Sequence, residues 1–251
     1  MLSDPAFYLV SVPAVMLYGI AKGGFGGAVA ILAVPLMALI MSPTQAAGIL
    51  LPILVVMDAF VVRTYWGHFD FRALQLLLPG ALVGIALGYL TAGAMDDNYM
   101  RVLVGLISML FGLQQLLGFA GRASGQHRAG PAAVFGTLAG FTSFSIHAGG
   151  PPLTMYLLPK GLPPLLFAGT AGLFFAVVNA VKLVPYYWLG QFTATNLLYS
   201  LILVPLAPLG VWVGHALVKR SPAGFYYRVI SLFLVVLGVK LLWDGLSGLL
   251  I

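Results

Sequence analysis

Apolar residues fall into ten runs along the chain, and short stretches rich in glycine, proline or charge separate them. Within a run the apolar positions are continuous and do not alternate with period two, as is typical of helices buried on several faces. A helix that crosses a bilayer needs about 20 predominantly apolar residues. The pattern therefore predicts an all-α polytopic membrane protein. The runs are residues 6–21, 28–41, 45–62, 73–93, 99–120, 131–146, 151–159, 164–185, 194–217 and 226–248.

The composition indicates the same class of protein. Of the 251 residues, 61% are hydrophobic and 7% are charged, whereas a soluble domain carries about 25% charged residues. A separate soluble catalytic or nucleic-acid-binding domain is thereby excluded. The net charge of +6 comes mostly from basic residues in short loops, where positive charge sets the orientation of a membrane protein. We expect the chain to be surrounded by a lipid bilayer and to have no nucleic-acid partner.

The sequence offers little for catalysis or metal binding. It contains no cysteine, and its four histidines are scattered at positions 68, 127, 147 and 215. No Gly-x-Ser-x-Gly elbow of a serine hydrolase is present. We predict no catalytic residues, no metal site and no cofactor, and an intramembrane enzyme is the least favoured alternative.

Residues 1–120 and 131–251 look like two copies of one unit, joined by a polar linker over 121–130. For example, Asp58 and Asn179 occupy matching places 121 residues apart. Each unit opens with two short segments around a glycine-rich stretch and continues with three longer segments. The predicted fold has two inverted-topology repeats, each a broken or re-entrant helical hairpin followed by three transmembrane helices. Two full crossings in place of each hairpin are the alternative.

The charge distribution predicts the orientation in the membrane. Under either alternative each unit makes an odd number of crossings, so the second copy is inverted. One side then collects eight basic residues, whereas the other collects Asp4, Asp96 and Asp97 against one arginine, Arg101. The positive-inside rule makes the basic side cytoplasmic and places both termini on the other side. The eight residues are Arg63, Arg72, Arg122, Arg128, Lys160, Lys219, Arg220 and Arg228.

Glycine-rich breaks at equivalent places of two inverted repeats are typical of a secondary transporter. A break that faces lipid would leave backbone N–H and C=O groups unpaired in hydrocarbon, so breaks persist only where they line a cavity or a ligand. The pattern therefore predicts two tips that face one another near the middle of the membrane. Glycine-rich stretches also serve as packing surfaces between membrane helices, which is the alternative for each single glycine.

The two tips have the chemistry of an anion site. Glycine lets the backbone approach a ligand, and the helix that follows each tip has an N-terminus that attracts anions. Lysine, serine and histidine side chains add donors, and neither tip contains a carboxylate. A cytoplasmic loop lysine and a satisfied buried histidine are the alternatives for positions 22 and 147. The predicted substrate-binding residues are Lys22, Gly23, Gly24, Gly26, Gly27, Ser143, Ser145, His147, Gly149 and Gly150.

Three further polar residues lie inside apolar segments, where ionisable groups are expensive. Asp58, Asn179 and Lys182 are predicted to have a coupling or a structural role, and Arg63 is a candidate partner for Asp58. The aromatic residues at segment ends, Tyr65-Trp66 and Tyr186-Tyr187-Trp188, are expected to form interfacial belts.

At these tips the chain resembles the sulfite exporter TauE/SafE family, and the resemblance spans residues of about 15 to 246. The family's duplicated glycine-rich motif stands here as Gly23-Gly24-Phe25-Gly26-Gly27, followed by Pro35, and as His147-Ala148-Gly149-Gly150-Pro151-Pro152, followed by Pro159. The second tip departs from the family's glycine run, with Phe144-Ser145-Ile146-His147 in its place. The resemblance implies export of small sulfur oxyanions or organosulfonates, such as sulfite or sulfoacetate, across the bacterial inner membrane.

Taken together, the residues predict a secondary transporter that moves a small anion by alternating access between inverted repeats. The resemblance narrows the expected substrate to a sulfur-containing anion. A passive anion channel is the alternative function. The sequence leaves open a homodimer, a coupling proton and the identity of the anion.

Overall fold

The computed structural model describes residues 5–25, 30, 33–37, 40–92, 97–117 and 126–249. All regular structure in these residues is helical. The α-helices are α1 (Pro5–Gly24), α2 (Ala33–Met37), α3 (Pro43–Thr64), α4 (Phe71–Leu90), α5 (Asp97–Leu116), α6 (Ala129–Ile146), α7 (Gly150–Leu157), α8 (Pro164–Trp188), α9 (Ala194–Leu203), α10 (Leu206–Arg220) and α11 (Ala223–Leu249). A 3₁₀ turn, Leu158–Lys160, follows α7.

Most of these helices have the length and composition of membrane spans. Within the described residues six qualify, or seven if α9 and α10, which meet at a bend of 46°, form one broken span. The chain is therefore an all-α, multi-pass membrane protein, which confirms the class predicted from the apolar runs.

The members of each glycine-rich opening pair differ in length. α1 has 20 residues and α6 has 18, and both qualify as spans, whereas α2 has five residues and α7 eight. The prediction that both segments of each opening pair are short is therefore wrong for α1 and α6. In α1 the helix continues through Gly23 and Gly24 because both glycines are buried against the backbone of α10.

Helices of the predicted first unit pack mainly on helices of the second. α1 lies along α10, α4 along α6, α5 along α11 and α3 along α8. Glycines allow close approach of the backbones. A Cβ atom on Gly19 would lie 2.8 Å from the Cα of Gly210, and one on Gly140 would overlap the carbonyl oxygen of Ala81. The core is thus built between the two units.

α3 and α8 are deeply buried spans and run antiparallel. Gly169, near the start of α8, lies against Tyr65, which follows the end of α3. Gly48, near the start of α3, lies against Gln191, which follows the end of α8. This antiparallel pair carries three of the six side chains of the site described below.

One hydrogen bond occurs twice in the fold. The Tyr65 hydroxyl donates to the carbonyl of Gly23, and the Tyr186 hydroxyl donates to the carbonyl of Phe144 at 2.8 Å. The donors of the two bonds are 121 residues apart in the sequence, and so are the acceptors. Each bond joins the end of an opening helix, α1 or α6, to the end of α3 or α8. The unit boundaries and the inverted duplication stay predictions.

Candidate functional site

Six polar side chains meet in the interior between α1, α3, α6 and α8, and each is at most 4% exposed. Because a buried polar group is costly unless it is paired, their contacts determine what the site can hold. We call them the buried polar cluster. Its members are Lys22, Asp58, Ser143, His147, Asn179 and Lys182.

Lys22 is neutralised within the protein. It lies in the last turn of α1, and its Nζ is 2.6 Å from Oδ1 of Asp58. The same ammonium group donates a hydrogen bond to the carbonyl of Leu54 at 3.1 Å. Lys22 is therefore a buried helix residue, and the alternative of a loop lysine is wrong.

Asp58 links the two predicted units. Its Oδ2 accepts a hydrogen bond from Nδ2 of Asn179 at 2.8 Å, so the two residues at matching sequence positions contact each other. The carboxylate of Asp58 is thereby used on both oxygens, by Lys22 and by Asn179. Its ion-pair partner is Lys22 and not the suggested Arg63. A coupling role for Asp58 stays a prediction.

Lys182 is the second buried cation of the cluster. Its Nζ donates to the Ser143 carbonyl at 2.6 Å and lies 2.7 Å from Nδ1 of His147. The Oγ of Ser143 and the Oδ1 of Asn179 are further acceptors at 3.3 and 3.4 Å. Among the described residues Lys182 forms no salt bridge with a carboxylate.

His147 stands at the break between α6 and α7 in a left-handed backbone conformation, with φ 54° and ψ 29°. This conformation costs about 1–2 kcal/mol for a residue other than glycine, and such strain is often retained at functional sites. The Nε2 of His147 lies 3.2 Å from the carbonyl of Ala47. Nδ1 lies 3.1 Å from the carbonyl of Ser143 and 2.7 Å from the Nζ of Lys182. A carbonyl only accepts, so a neutral ring donates to one of the two carbonyls. The shorter contact with Lys182 favours the form in which Nε2 carries the proton and Nδ1 accepts from Lys182.

These contacts assign a charge to the cluster. An ammonium group has three N–H donors, and the Nζ of Lys182 has the Ser143 carbonyl, the His147 ring and the Asn179 amide as acceptors. A neutral amine would offer only two donors. From this number of acceptors we assign Lys182 as protonated and His147 as neutral. On this assignment, and with the ion pair of Lys22 and Asp58 balanced, the cluster has one uncompensated positive charge.

Backbone donors lie beside this charge. Gly149 is the N-cap of α7 and Gly150 is its first residue. The next two residues, Pro151 and Pro152, have no N–H, so the donors of this turn come from the two glycines, because first-turn N–H groups have no acceptor within their own helix. A Cβ atom on Gly149 would lie 2.8 Å from the Cβ of Ser143, so the start of α7 is next to the cluster. A helix N-terminus adds partial positive charge to the same place.

Three of the predicted site residues make contacts outside the cluster. Gly23 and Gly24 form part of the contact between α1 and α10, as the packing alternative suggested. The hydroxyl of Ser145, which is half-buried, donates to the carbonyl of Phe141 in its own helix at 3.0 Å. Gly26 and Gly27 lie outside the described residues. A role of these positions in substrate binding stays a prediction.

Two tyrosines near the cluster were assigned wrongly from the sequence. Tyr65 is 1% exposed and Tyr186 is 2% exposed, whereas their neighbours Trp66, Tyr187 and Trp188 are 65–75% exposed. The ring of Tyr186 stacks on that of His147, with centroids 6.0 Å apart and planes within 12°. An aromatic residue at a segment end has the same local pattern whether it faces lipid or core. The spacing of 121 residues between the two tyrosines was the available signal.

A second polar group joins the predicted linker to the bundle. The Nε2 of His127 lies 2.8 Å from Oδ2 of Asp70, the N-cap residue of α4, and its Nδ1 lies 3.1 Å from the Tyr156 hydroxyl. Lys160 lies over the Tyr156 ring, and burial, with Arg128 as a second cause, lowers the pKa of Lys160. The sequence analysis did not foresee this contact.

Comparison with known proteins adds one finding. The model of the family described as sulfite exporter TauE/SafE matches residues 11–241, which covers every residue of the buried polar cluster. Searches of the curated proteins and of the solved structures gave no match.

Proposed function

Since this chain belongs to the sulfite exporter TauE/SafE family, we propose that it exports a small sulfur oxyanion or organosulfonate, such as sulfite, by alternating access. The proposed location is the bacterial inner membrane, with both termini on the outer side. The family is one of transporters, consistent with the prediction of no enzymatic activity. The substrate is held at the buried polar cluster.

One observation carries this proposal: Lys182 is fully buried, and its hydrogen-bond partners among the described residues are neutral groups. An unbalanced charge in a low-dielectric interior is costly, so an anion that compensates it is bound favourably. The N–H groups at the start of α7 and the hydroxyl of Ser143 supply hydrogen bonds to oxyanion oxygens. Among the residues of the cluster, Asp58 is the carboxylate that could repel an anion, and its charge is neutralised by Lys22.

The packing supports alternating access as the mechanism. The hydrogen bonds of Tyr65 and Tyr186 lie at opposite ends of the antiparallel pair α3 and α8. Release of one bond at a time would free the end of α1 or of α6 and expose the cluster to one side only. Inverted repeats of transporters rock in this manner around a fixed site.

The membrane potential is sufficient to drive export. An inside-negative potential favours outward movement of an anion by about 2.3 kcal/mol per charge per 100 mV. A coupling ion is therefore not required by the energetics.

Efflux from proteoliposomes loaded with sulfite tests the proposal. We expect wild-type protein to release sulfite with saturable kinetics, and Lys182→Met to lower the initial rate by roughly 30-fold or more, because a lost buried charge contact costs about 2–5 kcal/mol. Lys240→Met is the matched control, since Lys240 is exposed on α11 and pairs with Asp244. An equal loss in both variants would contradict the assigned site, and a rate that never saturates would indicate a channel.

A further inference from the structure

The buried polar cluster holds one more positive than negative charge, and this excess limits the charge of its ligand. We propose that the site selects monovalent anions, such as organosulfonates and hydrogen sulfite, over divalent anions such as sulfate and fully deprotonated sulfite. The inference rests on the proposed function, because it needs an anion at Lys182.

The charge count comes from contacts within the cluster. Lys22 and Asp58 cancel at a distance of 2.6 Å. Lys182 has neutral partners, and the His147 ring is neutral because its Nδ1, 2.7 Å from the Nζ of Lys182, is assigned as an acceptor. The sum is a single positive charge, shielded from water by complete burial of Lys182.

The groups that face the cluster from the packed helices do not change this sum. From α1, the phenol of Tyr18 lies near Asp58, and from α8 the Tyr186 ring lies 5.6 Å from the Nζ of Lys182. Both phenols are neutral, and the hydroxyl of Tyr186 already donates to the carbonyl of Phe144. Ser143 of α6 is neutral as well.

A divalent anion would leave one negative charge unbalanced at this place. Each side chain of the cluster is at most 4% exposed, and an uncompensated buried charge is strongly unfavourable. A divalent anion also loses more hydration on entering. A monovalent anion leaves the cluster neutral. The preference for a monovalent anion thus follows from the net charge of the cluster, and it does not require a contact that recognises sulfur.

The two candidate substrates differ in how they respond to pH. A sulfonate stays monovalent throughout the physiological range, whereas sulfite loses its last proton near neutrality. We therefore expect sulfite efflux to fall as the pH rises and methanesulfonate efflux to stay constant over the same range.

The direct contact of Asp58 with Asn179 allows an isosteric test of the charge count. Asp58→Asn raises the charge of the cluster by one, Asn179→Asp lowers it by one, and the double exchange Asp58→Asn with Asn179→Asp leaves it unchanged. The readout is the ratio of methanesulfonate to sulfate uptake by counterflow into proteoliposomes, so a general loss of activity does not affect it.

We expect wild-type protein and the double exchange to prefer methanesulfonate by roughly tenfold or more. Asp58→Asn should shift the ratio towards sulfate, and Asn179→Asp should abolish uptake of both anions. If Asp58→Asn fails to fold, Lys22→Met with Asp58→Asn, which keeps the excess charge, must retain the wild-type ratio. Equal uptake of both anions by wild-type protein, or the wild-type ratio in Asp58→Asn, overturns the charge selection. Uptake of neither anion by wild-type protein contradicts the proposed function itself.

Discussion

Lys22 and Lys182 are both buried lysines, yet their surroundings give them different roles. The Nζ of Lys22 lies 2.6 Å from the carboxylate of Asp58, and this ion pair connects α1 to α3. Lys182 has only neutral acceptors and is the cation available to a substrate. The sequence analysis placed Lys22 in the binding site and gave Lys182 a coupling or structural role. The contacts favour a structural role for Lys22 and a binding role for Lys182.

The ion pair of Lys22 and Asp58 leads to a prediction about stability. Lys22→Met leaves the Asp58 carboxylate buried without its cation, which costs about 3–5 kcal/mol. Adding Asp58→Asn removes the stranded charge and should recover most of this loss. Thermal unfolding of purified protein in detergent measures both effects. A double variant no more stable than Lys22→Met would show that the pair is not coupled as described.

Single residues could be selected from the sequence, but their partners could not. Lys22, Asp58, Asn179 and Lys182 stood out because charge and amide groups are costly inside apolar segments. That Asn179 bonds to Asp58, and that Ser143 and His147 accept from Lys182, depends on how α3, α6 and α8 lie against one another. A sequence pattern does not contain that relative position.

At the scale of elements, the repeated tyrosine bond connects the ends of helices. Tyr65→Phe and Tyr186→Phe each remove a donor from a buried carbonyl, which costs about 1–3 kcal/mol. We expect a similar fall in thermal stability for the two variants. Tyr187→Phe is the control because Tyr187 is 72% exposed. A loss in Tyr187→Phe equal to that in Tyr186→Phe would contradict the role of the buried bond.

The contact between α4 and α6 depends on the absence of side chains. Gly140→Ala places a Cβ atom against the backbone of Ala81, and overpacking of this kind costs about 1–3 kcal/mol. Gly130 lies in the same helix with open space around its Cα, so Gly130→Ala should be neutral or stabilise by up to about 1 kcal/mol. Thermal unfolding of the two variants, compared with wild type, separates packing from helix propensity.

Helix existence was easier to predict than helix ends. Glycine marks either a break or a close helix contact, and in α1 the second case applies because Gly23 and Gly24 lie against α10. In α6 the helix ends at His147, where the left-handed conformation makes a true break. A glycine-rich sequence therefore forms a helix contact in the first tip and a helix break in the second. Which of the two forms depends on the neighbouring helix.

At the scale of the whole molecule, the predicted inversion of the second unit would place two equivalent loops on opposite sides of the membrane. The chain has no cysteine, so Trp66→Cys and Tyr187→Cys each introduce a single thiol at an exposed position. We expect an impermeant thiol reagent applied outside intact cells to label position 187 and not position 66. Inside-out vesicles should give the reverse pattern. Labelling of both positions from one side would contradict the inversion.

The pairing of helices across the two halves has a consequence for biosynthesis. α1 packs along α10, so the ribosome completes the first long helix well before the helix that covers it. Until α10 is made, the glycine face of α1 has no partner from that helix. Insertion of α1 and its packing on α10 are therefore separate steps, and a chain truncated before α10 would leave this face uncovered.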